Sequence, residues 1–136
     1  MTHKLIKDFR YKGRRCIVLE IFYEIPNSIF GNLRPAFNIK PYCNGYIEIK
    51  DKEAVLNKLT EKKKGSGFLK MIDSAEITYQ GDIRFDDLDL SDGHFYIGFD
   101  SAHAWNDAKP ESKTAVFVEK VCKKIVDELN ERFTRC

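Results

Sequence analysis

Apolar and polar positions along this chain switch between a two-residue and a three-to-four-residue period, and each switch marks an element. Leu5-Ile6-Lys7-Asp8-Phe9-Arg10-Tyr11 partly alternates, Lys12-Gly13-Arg14 breaks the pattern, and Cys16-Ile17-Val18-Leu19-Glu20-Ile21-Phe22-Tyr23 is a near-continuous apolar run. The two runs predict a β-hairpin turned at Gly13. Its second arm is expected to be the more central, because both its faces are apolar. Residues 25–41 contain Pro26, Asn27, Gly31, Asn32, Pro35 and Pro41, which predicts a loop. Ile29, Phe30, Leu33 and Phe37 make that loop too apolar for an idle linker, so it is either a packed excursion or a partner-facing surface. Asn44-Gly45 is a turn signal, and Tyr46-Ile47-Glu48-Ile49-Lys50 after it alternates as a half-buried strand.

Asp51 is placed to cap a helix with Ala54, Val55, Leu56 and Leu59 on its apolar face, closed by Lys62-Lys63-Lys64 before Gly65. Cations at a helix C-terminus complement the macrodipole, so this lysine cluster needs no nucleic acid to explain it. Glu76 to Gln80 and Ile83-Arg84-Phe85 are strand candidates, the Asp-rich stretch after them reads as a loop, and His94 to Phe99 is the strongest strand of the second half. From Ser112 to Phe133, Val118, Val121, Cys122, Ile125, Leu129 and Phe133 recur at helical spacing, and Pro110 fits the approach to a helix start. These elements predict an α+β fold: a mainly antiparallel sheet with a middle helix and a long amphipathic C-terminal helix. Residues 1–136 are expected to form one domain.

Charge changes the picture by its placement rather than its sum, which is only +2. Residues 2–15 carry Lys4, Lys7, Arg10, Lys12, Arg14 and Arg15 against Asp8. Residues 82–100 carry Asp82, Asp86, Asp87, Asp89, Asp92 and Asp100 against Arg84. Such polarity belongs either to two solvated segments or to surfaces that steer a partner. Cys16, Cys43, Cys122 and Cys136 form no CxxC pair, and no secretory signal or membrane-spanning run is visible. The expected setting is the cytoplasm, with reduced thiols packed as small hydrophobes and no membrane partner.

Candidate chemistry concentrates where the strongest strand ends. Asp100, His103 and Asp107 share one face if the turn after the strand is helical, with Trp105 between them. Such a trio could hold a divalent ion, or Asp100 could orient His103 as a general base. Equally, Asp100 could cap the turn at Ser101-Ala102 while His103 packs beside Trp105, which makes the same residues a structural corner. Asp87, Asp89 and Asp92-Gly93 only faintly resemble a calcium loop, since Ser91, Asp92 and Gly98 stand where acid, glycine and glutamate are needed. P-loop, GxSxG and HExxH signatures are absent. Tyr11, Arg14 and Arg15 near the hairpin turn could grip a phosphate or stack on a base.

Tyr96-Ile97-Gly98-Phe99-Asp100-Ser101-Ala102-His103-Ala104 resembles the GFDxAHA signature of an uncharacterised group of small proteins carried by bacteriophages and prophages. Cys43-Asn44-Gly45-Tyr46-Ile47, Tyr79 to Phe85 and Phe117 to Leu129 resemble further stretches of that group in the same order, so the likeness spans residues 43–129. Gln80 and Asp82 stand where the group shows a histidine and a second glycine, and Trp105-Asn106-Asp107 replaces its Gly-Asp. The resemblance implies phage origin and residence in the host cytoplasm, and it implies no reaction. The expected function is that of a phage-encoded accessory binding protein, a counter-defence (anti-CRISPR-like) inhibitor that occupies a host protein or a small nucleotide signal. Asp86, Asp87 and Asp89, with Asp100, His103 and Trp105, are the expected contacts, and no cofactor or resident metal is expected. A small metal-assisted hydrolase or nuclease using Asp100 and His103, and a nucleic-acid-binding module, are the alternatives.

Overall fold

The computed structural model describes residues 2–22, 41–50, 77–101 and 114–133. The helix expected from Asp51 to Lys64 and most of the apolar loop before Pro41 lie outside the described residues. The first two strands, β1 (Thr2–Tyr11) and β2 (Arg14–Phe22), form the predicted hairpin. Its turn takes positive φ at both Lys12 (48°) and Gly13 (85°), the handedness that lets a two-residue turn follow the twist of its strands. Three more strands, β3 (Tyr42–Ile49), β4 (Tyr79–Gly81) and β5 (Phe95–Asp100), complete a five-stranded antiparallel sheet in the order β1-β2-β3-β5-β4. The C-terminal helix α1 (Ala115–Phe133) begins at Thr114, whose hydroxyl accepts a hydrogen bond from the Phe117 N–H at 3.3 Å.

Both faces of the central strands are apolar, and each face has its own cover. Cys16, Val18, Ile47, Ile97 and Phe99 meet Val118, Cys122, Ile125, Val126 and Leu129 of α1 on one side. On the other side Ile17, Leu19, Ile21, Tyr46 and Tyr96 are covered by Ile83, Phe85, Leu88 and Leu90. The Asp-rich stretch, expected as a loop, is therefore irregular in its backbone yet part of the core. Ile83-Arg84-Phe85 is not a strand. Among the described residues its one ladder contact is a bridge between Arg84 and Asp89, with Leu90 N–H bonded to the Ile83 carbonyl at 2.9 Å.

Asn44-Gly45 is not a turn either, because it lies in the middle of β3 opposite Leu19 and Val18 of β2. Gly45 serves close packing: a Cβ there would stand 2.5 Å from the Phe99 ring and 2.6 Å from Cys122 Sγ. Cys16, Cys43 and Cys122 are buried free thiols, and burial pushes Cys16 up to about 12 and Cys43 up to about 11. They behave as the small hydrophobes expected of them. Gly45→Ala should cost about 1–3 kcal/mol through overpacking between β3 and α1. Urea unfolding monitored by circular dichroism measures that cost, and a loss below about 0.5 kcal/mol would show that α1 does not press on this position.

Candidate functional site

Asp100 is the last residue of β5, opposite Asn44 of β3, and its Oδ2 accepts a hydrogen bond from the Thr78 hydroxyl at 3.1 Å. The next residue closes the corner. Ser101 is buried, and its hydroxyl donates to the Cys43 carbonyl (2.7 Å) while accepting from the Cys43 N–H (3.2 Å). Gly98 admits the neighbouring rings, since a Cβ there would lie 2.6 Å from a Tyr46 ring carbon. Three residues of the signature stretch thus have structural work in the sheet. His103, Trp105 and Asp107 lie outside the described residues, so of the predicted trio the structure places Asp100.

The second predicted group, Asp86, Asp87 and Asp89, sits on the outer side of the segment that covers the sheet. All three residues are exposed within one short loop, while Ile83, Phe85, Leu88 and Leu90 beneath them face inward. Asp87 accepts from the His3 backbone N–H at 2.6 Å, and its other oxygen is 2.6 Å from His3 Nδ1. The His3 ring in turn stacks on Phe85 with centroids 3.9 Å apart. The backbone bond from His3 is the main reason the Asp87 carboxyl is held below its ordinary range. The Ser91 hydroxyl and N–H do the same for Asp89. The carboxylates of the faint calcium pattern go to separate partners, Asp87 to His3, Asp89 to Ser91 and Asp92 to Arg15 and Tyr96. Among the described residues no three ligating side chains are grouped so as to hold a metal ion.

The chemistry that sequence reasoning missed is an arginine hub at the start of β2. Arg15 binds both oxygens of Asp8 through Nε (3.0 Å) and Nη2 (2.7 Å). Its Nη1 reaches the Leu90 carbonyl (3.1 Å), Asp92 (3.0 Å) and the Tyr96 hydroxyl (3.2 Å). Arg14 points to the opposite face, is 2% exposed, and donates to Asn130 of α1 (2.8 Å) and to the Glu48 carbonyl (3.0 Å). The buried Glu48 carboxylate accepts the Arg15 N–H at 3.0 Å, with Arg10 and His94 at 3.7 and 3.6 Å. Arg14 and Arg15 are therefore not presented for phosphate; each ties one cover of the sheet to β2. Two adjacent arginines at the mouth of a strand point to opposite faces, and that alternation was the available signal. Beside the hub an open depression of about 560 Å³ is lined by Asp8, Arg10, Arg15, Leu90, Ser91 and Asp92.

Basic and acidic stretches that lie far apart in the chain are thus partners in space: His3 with Asp87 and Arg15 with Asp92. Lys7 pairs with Glu119, and Lys12 with Asp127 at 2.7 Å. No family model matches the chain, and no curated protein or solved structure matches it.

The hub makes stability depend on pH in one direction. Burial alone would raise the Asp92 carboxyl, but the Tyr96 hydroxyl, the His94 N–H and Arg15 together hold it below its ordinary value. A carboxyl lowered in the folded state stabilises the fold above its unfolded pKa of about 3.9 and loses that contribution as pH falls through the folded value. The melting temperature should therefore drop as pH is lowered beneath about 4, and Asp92→Asn should flatten the drop. Superimposable profiles for variant and wild type would contradict the assignment. At neutral pH Arg15→Lys should cost about 1–3 kcal/mol, because an ammonium cannot reproduce the fork to Asp8 while reaching Leu90 and Tyr96.

Proposed function

We propose that this protein is a phage-encoded accessory binding protein that captures a basic surface of a host protein through the ridge of Asp86, Asp87 and Asp89. The observation that carries this reading is the packing beneath the ridge. Ile83 is fully buried and Phe85, Leu88 and Leu90 pack with it, so the carboxylates ride on a backbone fixed by the core. A fully buried side chain of this kind contributes about 1.5–3 kcal/mol, more than the 0 to about 1 kcal/mol of an exposed ion pair. A surface held that way has little conformational entropy left to lose on binding. Local bonds hold the Asp87 and Asp89 carboxyls below their ordinary range, so the ridge is an anionic strip at neutral pH. Such a strip competes with nucleic-acid phosphate for a host groove, which is how a counter-defence inhibitor disables a nucleic-acid-binding factor.

The resemblance to the GFDxAHA group of phage proteins supports the biological setting of this reading. Direct binding of nucleic acid has less behind it, since Lys7, Arg10, Lys12 and Arg15 each face a carboxylate of their own chain. The test is affinity capture from infected host lysate at about 0.15 M salt, comparing wild type with Asp86→Lys/Asp89→Lys. The wild type should retain a host protein, and the double reversal should reduce that retention at least about tenfold, a change of ~1.4 kcal/mol, without lowering the melting temperature. Equal retention by both forms would remove the ridge from the interface. Retention of no host protein by either would overturn the binding reading.

A further inference from the structure

The outer edge of β1 has features that the acidic ridge does not use. β1 is the terminal strand of the sheet and runs for ten residues, with β2 on one edge and, among the described residues, no strand on the other. Residues 4–8 are exposed, including Leu5 at 40% and Ile6 at 39%. An open edge offers a row of N–H and C=O groups to any strand that can fit beside it. What fits is decided by the side chains that flank the row.

The pairing with β2 steps from Leu5 opposite Leu19 to Lys7 opposite Val18, so Ile6 is an extra residue in a bulge. The bulge inverts the alternation. Before it, His3 lies on the face of Phe85; after it, Asp8 lies on the face of Arg15 and Leu90, while Lys7 reaches Glu119 of α1 on the other. Odd-numbered residues before the bulge therefore share a face with even-numbered residues after it.

That inversion limits how a second copy could pair with this edge. Antiparallel neighbours must point to the same side, so a two-fold pairing centred on the bulge sets odd numbers against even ones. One central register then places Lys4 opposite Lys7 of the second copy, a like-charge contact. The next sets Leu5 against Asp8 and His3 against Arg10. Like charges directly opposite destabilise a sheet, which opposes the first register although it sets Leu5 against Ile6, and the second sets Leu5 against a carboxylate. Each of these two registers carries an unfavourable contact.

The same charges select a different strand. Lys4 has no ion-pair partner among the described residues, and Lys7 and Arg10 remain more than half exposed beside Glu119 and Glu48. We propose that the outer edge of β1 docks an extended segment of a partner protein in which carboxylates alternate with apolar residues, added to the sheet as a further strand. Its carboxylates would lie across from Lys4 and Lys7, and its apolar residues would cover Leu5 and Ile6. This inference stands apart from the acidic ridge, because it calls for a partner surface of opposite sign on a different element.

The test uses the full chain and two capped peptides of about eight residues, one alternating Glu and Val, the other Lys and Val. Amide hydrogen exchange at residues 4–8 is read with each peptide at millimolar concentration. The Glu-Val peptide should slow exchange there at least about tenfold while the Lys-Val peptide leaves it unchanged. Lys4→Glu, at an exposed position, should abolish the preference while the melting temperature stays constant. Protection by neither peptide, or equal protection by both, would overturn the proposal. So would strong protection of β1 without peptide together with a doubled mass in sedimentation, which would make a second copy the occupant.

Discussion

A sheet whose central strands are apolar on both faces must be covered on both, and the rest of this structure follows from that demand. β2 is buried along nearly its whole length, and β3 and β5 carry the same character. One face is covered by the expected means, an amphipathic helix with Val118, Cys122, Ile125 and Leu129 directed inward. The other is covered by residues 82–94, which have almost no regular secondary structure and depend on Ile83, Phe85, Leu88 and Leu90 for their hold. Once those four are committed inward, the aspartates between them have only solvent or the neighbouring strands to face. The acidic ridge is a consequence of how the core is closed.

The charges follow the same logic. The hairpin that begins the chain brings His3 and Arg15 beside the covering segment, and Arg15 joins β1, β2, the segment and Tyr96 of β5 at one guanidinium. Arg14 does the corresponding work toward α1 through Asn130. Ion pairs of this kind add modest stability but strong registration, because a fork held by several acceptors tolerates little displacement. Among the described residues, the exposed charges include the ridge at Asp86 and Asp89 and the edge at Lys4 and Lys7, which are opposite in sign.

Much of the frame was legible in the residue pattern, and the misses share a cause. The hairpin, the central place of β2, the strand ending at Asp100 and the C-terminal helix all rest on local periodicity or turn chemistry that tertiary contacts did not override. Asn44-Gly45 misled because an Asn-Gly pair is equally a turn and a place where a ring needs room. Only the positions of Phe99 and Cys122 decide between them, and those come from distant parts of the chain. The covering segment was read by its aspartates, yet its four apolar residues at irregular spacing carry the packing, and no single period reveals such a pattern. The site residues divide the same way. Asp86, Asp87 and Asp89 were found as an acidic cluster, whereas the Arg15 hub joins residues 8, 15, 90, 92 and 96, and sequence spacing holds no trace of that convergence.

The acidic segment is a structural cover of the sheet and not an appended loop, and Ile83 is the residue on which that role depends. Ile83→Ala leaves every charge in place and removes the one fully buried anchor of that segment. If the segment closes the core, urea unfolding should remain a single cooperative transition and lose about 2–5 kcal/mol, as for a buried isoleucine elsewhere in a protein. A loss under about 0.5 kcal/mol, the range of a surface substitution, would mean that the segment is appended and does not close the core.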